Sequence, residues 1–214
     1  MEAQDQALHT KYYATKILNA EKNSKCRLCQ QFDEKKVHII SACPILAKEE
    51  YIKRQDRVRA QQHFNIRKER GVQLDKKHWY VPKSLEASQG GKANILWNQQ
   101  VQIDRTIPNN KPDITTRENE KGTCMLIDVA ISGDRNVIKL ETGEKILKYK
   151  DLIIELQRMW NVKTKVIPVI TGATRTILKS FRKYMSNIAG KHEVKELQKT
   201  AILGTAYILR KVLM

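Results

Sequence analysis

Four residues near the start of the chain have the types and the spacing to hold a metal ion. Cys26, Cys29, His38 and Cys43 follow the pattern Cys-x2-Cys-x8-His-x4-Cys. The close pair makes a tight turn that presents two thiolates to one tetrahedral ion, and the His and last Cys can supply the other two corners. Four protein ligands without a carboxylate make a closed site, which points to structural zinc. The alternative is a pair of buried free cysteines beside an unrelated His. For the first pair alone the two readings would stand level; two further ligands at knuckle spacing move the balance to zinc. Cys124 lies in an apolar run and is read as core packing.

A second group could do acid and phosphate chemistry. Lys111-Pro112-Asp113 opens a short strand, and after fourteen intervening residues comes Asp128, inside the run Met125-Leu126-Ile127-Asp128-Val129-Ala130-Ile131. A carboxylate in an otherwise apolar strand is costly to bury and needs a compensating partner. Two acids on a turn and an adjacent strand can hold Mg2+, which would activate water and screen a phosphate. On spacing alone, a structural ion pair with one of the many lysines and arginines accounts for Asp128 equally well. The helix expected over 141–160 carries an apolar stripe of Ile146, Tyr149, Leu152, Ile153, Leu156, Met159 and Trp160. At ~100° per residue, Lys145 falls within about 35° of the centre of that stripe, and Lys148 roughly 95° away. Lys145 is therefore expected to face the strand of Asp128, where it could stabilise phosphate charge or position water. A lysine whose amine escapes to solvent is the competing reading, and Lys148 is the second choice.

These residues need elements to hold them. Helical spacing over about 5–20 puts Leu8, Tyr12, Ile17 and Leu18 on one face. The cysteine-rich knuckle spans 24–44, and Pro44 sits where a helix could start. A charged helix is expected over 45–70, with Gly71 at its end. From 72 to 94 the composition turns to Pro82, Ser84, Ser88, Gly90 and Gly91, read as a loop around Trp79–Tyr80. Strands are expected over 95–101, 112–116, 124–131 and 164–170, with the helix over 141–160 between the last two and helices over 174–188 and 192–212 closing the chain. Strands alternating with helices make an α/β sheet core. The expected division is a helical segment with the knuckle over 1–71, a linker over 72–94 and a sheet domain over 95–214.

Charge narrows the partner. There are 40 Lys and Arg against 23 Asp and Glu, a net charge of +17. A folded chain so basic calls for a polyanion, and DNA leads, with RNA as an alternative. An anionic membrane surface and cationic solubility without a partner rank below it. No apolar run approaches the ~20 residues that span a bilayer. The first ten residues carry Glu2 and Asp5 and do not read as a signal peptide. Thiols without a secretory signal suit a reducing compartment, the nucleus or the cytoplasm. The basic helix offers Lys53, Arg54, Arg57 and Arg59 as nucleic-acid contacts, with Arg67, Lys68 and Arg70 beyond them and Lys111 beside the first acid; a solvated helix face is the alternative.

Taken in order, the motifs resemble the C-terminal region of non-LTR retrotransposon polyproteins that carry a restriction-like endonuclease. There a Cys-Cys-His-Cys knuckle precedes a Lys/Arg-Pro-Asp motif, and a second acid follows after 12 to 14 positions; here these are Cys26, Cys29, His38, Cys43, Lys111-Pro112-Asp113 and Asp128. The similarity extends to Ile95-Leu96-Trp97, Asp104-Arg105-Thr106 and Leu197-Gln198-Lys199. The resemblance implies a PD-(D/E)xK-type fold, a small mixed sheet flanked by helices, after an N-terminal zinc-knuckle segment. It implies Mg2+-dependent nicking of target DNA, whose free 3′ end primes reverse transcription. Asp113 and Asp128 would be the metal ligands. The lysine that often follows the second acid by two positions is Ala130 here, and some members carry it on the following helix, the place of Lys145 and Lys148. A His usual in the helix after the knuckle is replaced in Arg54-Gln55-Asp56, which points toward a second reading, an inactive nucleic-acid-binding remnant of the same fold. The polymerase Asp-Asp motif is absent and 214 residues cannot hold a reverse transcriptase beside this domain, so the chain reads as a fragment, a decayed copy or a domesticated descendant.

Overall fold

The computed structural model describes residues 8–70, 72, 85–87, 92–132, 138–173 and 193–214. The run around Asp128 forms strand β4 (Thr123–Ser132), and its neighbours are set by the chain on either side. Before it, β1 (Leu85–Ala87), β2 (Ala93–Trp97) and β3 (Ile114–Glu118) pair successively antiparallel. Gly122, at φ +54°, completes the turn from β3 to β4. After β4 the chain forms two helices, α4 (Ile138–Lys148) and α5 (Lys150–Trp160), before β5 (Lys163–Gly172), which lies parallel to β4. A parallel neighbour requires such a long crossover. Asn161 ends α5 in the left-handed region, a residue that tolerates that conformation, and Lys163 N–H then bonds Gly122 O at 2.8 Å. The sheet order is β1-β2-β3-β4-β5. Architecture and class are mixed α/β, as the sequence led us to expect.

Both faces of β4 are covered, which is why it reads as a nearly unbroken apolar run. Ile127 and Val129 join Ile95, Ile114, Ile167 and Val169 under two further helices. These are α3 (Glu50–Glu69), contributing Val58 and Ile66, and α6 (Glu193–Leu213), contributing Leu197 and Ala201. On the other face Cys124 and Leu126 meet Tyr149, Leu152 and Leu156. Alternation along β4 therefore places Asp128 on the side of Tyr149. Cys124 is fully buried there, and burial pushes its thiol up to about 12, in keeping with a core residue.

Local chemistry moves several expected boundaries. The first helix is short, α1 (Lys11–Lys16); Thr10 caps it by accepting from Tyr13 N–H at 3.2 Å, and Ile17 and Leu18 are exposed instead of sharing a buried face. The helix expected over 45–70 is two, α2 (Pro44–Ala47) and α3, because Glu49 leaves helical geometry at φ −139°. The strand expected over 95–101 ends at Trp97, where Asn98 turns to φ 47°. The helix expected over 141–160 breaks at Tyr149, at φ −104° and ψ 12°. Part of the 72–94 stretch is strand, namely β1 and the start of β2. Trp79 and Tyr80, the end of the helix at Gly71 and the helix expected over 174–188 lie outside the described residues.

The N-terminal helices are bound into the sheet's core. Arg54 of α3 is 3% exposed and donates to Ile40 O at 3.0 Å and Thr205 Oγ1 at 3.1 Å. Gly204 of α6 permits this approach: a Cβ there would stand 2.6 Å from Arg54 Cγ. His63 is also buried, edge-on to Trp97 with ring centroids 5.2 Å apart. Burial first, and the charge of Arg67 second, push its imidazolium down to about 4. A folded-state value below that of the unfolded chain means that protons favour unfolding. Stability is thus full above about pH 6.5 and falls as the pH drops toward 4, by on the order of 3 kcal/mol. Denaturant melts between pH 4.5 and 7.5 should show this slope, and His63→Gln should flatten it; an equal slope in the variant would assign the acid sensitivity elsewhere.

Candidate functional site

Cys26, Cys29, His38 and Cys43 converge. One ligand atom from each lies within 4.8 Å of the others, a group that could hold a metal ion. Backbone bonds build the turn: Gln30 N–H to Cys26 O at 2.9 Å, then Cys26 N–H to Phe32 O at 2.8 Å, with Gln30 at φ 55° reversing the chain. His38 begins one π-helical turn, His38–Ala42, that delivers Cys43 to the same point, and Cys29 Sγ lies 3.3 Å from His38 Nε2. Burial pushes the Cys26 thiol up. For Cys29 burial is again the largest single influence and raises it, but backbone N–H groups of Phe32 and Gln31 and the two neighbouring thiols together outweigh it and hold Cys29 below its ordinary value. Burial also holds His38 below its ordinary value, toward the neutral form a metal ligand needs.

Two groups clamp this knuckle onto the rest of the molecule. Glu34 is fully buried and takes Arg27 Nε at 3.0 Å, Arg27 N–H at 2.9 Å and Lys11 N–H at 2.9 Å. Burial alone would raise its carboxyl, but Arg27 and these N–H groups hold it low. Arg27 in turn donates to Val212 O of α6 at 3.1 Å. Tyr51 of α3 donates to Ile39 O at 2.7 Å and accepts from Cys43 N–H at 3.2 Å.

The two acids meet at the end of β3. Ile114 pairs with Ile127, so one further step of the antiparallel register sets Asp113 opposite Asp128. Asn98 N–H bonds Asp113 O at 2.8 Å, which keeps the Asp113 backbone in line with β3. Next would come Pro112 opposite Val129, and a proline has no N–H to donate. Side chains supply what the ladder lacks there: Asp113 Oδ2 accepts from Val129 N–H at 2.7 Å, and Gln55 Nε2 of α3 donates to Val129 O at 2.9 Å. Asp113 Oδ1 faces Arg59 of α3 at 3.0 Å. The helix break puts both candidate lysines and a tyrosine at Asp128. Lys145 pairs with Oδ2, Tyr149 O–H donates to Oδ1 at 2.7 Å, and Lys148 stands 3.5 Å from Oδ1. Lys148 also lies 4.7 Å from the centre of the Tyr149 ring.

The environments separate the two acids electrically. Burial raises Asp113, Asp128's charge adds to it, and Arg59 with the Val129 N–H only partly offsets this, so Asp113 lies above its ordinary value. Burial also opposes charge on Asp128, yet Lys145, Tyr149 and Lys148 together hold it below its ordinary value. Tyr149 itself is driven up by burial and by the adjacent carboxylates. Acids held apart in this way are a frequent mark of a working site, though structural ion pairs do the same.

The candidate nucleic-acid residues separate. Arg54 and Arg67 are buried, which removes Arg54 from any contact surface: its guanidinium ties the π-helical turn to α6. Arg70 pairs with Glu118, and Lys53 with Glu49. Arg57 stacks over Tyr207 at 5.4 Å, while Lys68, in the last turn of α3, and Lys111, beside the first acid, are both exposed. Sequence reasoning did not find Arg59 as a partner of Asp113, Gln55 as a cap on Val129, or Tyr149 as a donor to Asp128. Tyr149 alone carried a signal, as the one hydroxyl on the apolar stripe. No family model matches this chain, and no curated protein matches it.

Proposed function

We propose that this chain is a divalent-cation-dependent DNA endonuclease domain of the restriction-like type, of non-LTR retrotransposon descent, with structural zinc in its knuckle. The observation that carries the reading is the facing of Asp113 and Asp128 at the open end of β3, inside a ring of Lys145, Lys148, Tyr149 and Arg59. Asp113 just before β3, Asp128 within β4 and both lysines on the crossover helix α4 support this reading. The knuckle fits zinc by its donors, three thiols and one imidazole. The acid pair fits a hard cation such as Mg2+, since carboxylate oxygens are its preferred donors. When bound there, Mg2+ supplies water activation and screening of phosphate charge. Lys145 and Lys148 would hold the scissile phosphate and offset its developing charge. A free 3′ end in the product would serve to prime reverse transcription by a polymerase on another chain.

A second reading has its own support. Each acid is already neutralised by the protein's own cations, which a catalytically silent DNA- or RNA-binding remnant would also require. Supercoiled plasmid separates the two. The zinc-loaded protein should convert it to open circles with added Mg2+ and leave it intact without. Binding without nicking in either condition would select the remnant. In both cases affinity should fall steeply with salt, because phosphate contacts release counterions; affinity that stays level with salt would exclude nucleic acid as the partner. No described helix is long and apolar enough to cross a membrane. We infer a nuclear or cytoplasmic site of action, since the knuckle's thiols need a reducing compartment.

A further inference from the structure

The four carboxylate oxygens of the acid pair are held in two different ways. Asp113 Oδ2 is tied to a backbone N–H, and Asp128 Oδ1 to the hydroxyl of Tyr149, a fully buried side chain. Neither donor can leave without disturbing the sheet or the core. The other two oxygens face flexible cations: Arg59 at Asp113 Oδ1 and Lys145 at Asp128 Oδ2. Each acid thus has one oxygen tied to a fixed donor, with Lys148 also 3.5 Å from that of Asp128, and one oxygen held by a side-chain cation alone. Arg59 reaches the site from the solvent side of α3 and is shared between two acids. Its side chain is 24% exposed, its other terminal nitrogen bonds Asp56 at 3.0 Å, and Asp56 is half-exposed. Among the described residues its buried Nε–H has no hydrogen-bond partner, so its present pose leaves one donor unmet. Arg59 and a hard cation would also compete for the same oxygen, because both are drawn by the same negative charge.

We infer that Arg59 is an exchangeable counter-ion: it yields Asp113 to a divalent cation and turns to a backbone phosphate of the bound DNA, so that cation and DNA bind cooperatively. This rests on the endonuclease reading above, since it requires the acid pair to take a cation. A guanidinium suits both roles, as it matches carboxylate and phosphate alike in fork geometry. Coupling of this kind is reciprocal: whatever the cation adds to DNA affinity, DNA adds to cation affinity.

The test uses the full, zinc-loaded chain with two probes. Mn2+ binding is followed by electron paramagnetic resonance without DNA. Binding of a short duplex is then measured with and without added Ca2+ at constant ionic strength, Ca2+ being chosen to occupy oxygen ligands without supporting cleavage. Arg59→Gln should bind Mn2+ about three- to tenfold more tightly than the wild type, the scale of one lost ion pair. Ca2+ should strengthen duplex binding by the wild type and leave that of Arg59→Gln unchanged. Melting curves check that the variant folds, and Arg59→Lys, which keeps the charge without the fork, should retain part of the Ca2+ effect. If Arg59→Gln binds Mn2+ no better than the wild type, or keeps the full Ca2+ effect, the inference is overturned. The Asp113→Asn, Asp128→Asn double variant reports on the underlying reading: Mn2+ binding equal to wild type there would remove the cation site itself.

Discussion

Asp128→Asn should abolish Mg2+-dependent nicking, by about a thousandfold or more, while duplex affinity stays equal or rises. Asparagine keeps the shape of the side chain and can still accept from Tyr149, so the sheet should fold. What it removes is the charge that would hold the cation, and with it a negative group beside the phosphate. The affinity of the variant should therefore not fall. The lysines give an ordered comparison. Lys145 contacts Asp128 directly and its side chain is 18% exposed; Lys148 stands 3.5 Å away and is 40% exposed. The more buried charge acts in a less screened field. Lys145→Ala should accordingly lower the nicking rate more than Lys148→Ala does, by about a hundredfold against tenfold. A reversed order would pass the third role to Lys148. Nicking that survives Asp128→Asn unchanged would place the chemistry elsewhere and end the two-acid mechanism.

How this site could be read from sequence, and where it could not, follows from the range of the interactions. Asp128 was legible because a charged residue within an apolar strand has few ways to exist, though spacing alone left an ion pair and a metal site level, and its face emerged only from the two clusters that β4 separates. The four knuckle ligands were legible because ligand chemistry restricts both type and spacing. Lys145 followed from helical periodicity, even though the helix breaks four residues later. The break itself was not legible: Tyr149 fits the apolar stripe equally well in a straight helix, and the partner of its hydroxyl lies on a strand twenty-one residues away in sequence. Arg59 was even less accessible. It sits in a helix rich in basic residues, and nothing local distinguishes it from Arg54, which lies buried five positions earlier. The difference comes from what α3 crosses, namely Asp113 at the start of β3 near Arg59 and α6 near Arg54. Pro112 shows how a motif residue can also serve the fold, since it ends a ladder and Asp113 then caps the strand edge left open.

Loss of the zinc proposed for the knuckle should destabilise more than the knuckle. Sequence reasoning expects Cys29→Ser to lose the metal and loosen the N-terminal third, leaving the sheet domain folded. The packing argues for a wider effect. Cys26 and Cys43 share a buried cluster with Ile39, Leu46 and, from α6, Ile208 and Val212. Arg27 holds the last turn of α6 through Val212 O, and Tyr51 holds the start of α3 through Cys43. Metal binding to such a site is worth about 10–16 kcal/mol in isolated fingers, and it appears as folding free energy. Even a third of that would lower Tm by about 10–20 °C in a chain of this size. Cys29 is the ligand to change, being the one least buried, so that serine disturbs packing little. The purified wild type should contain one zinc per chain and Cys29→Ser none. Hydrogen exchange should then quicken in three places together: the knuckle, the first turns of α3 and the last turns of α6. Fast exchange confined to the knuckle would mean that the clamp through Arg27 and Tyr51 contributes little. Carefully reduced wild-type protein that contains no zinc would end the metal reading altogether.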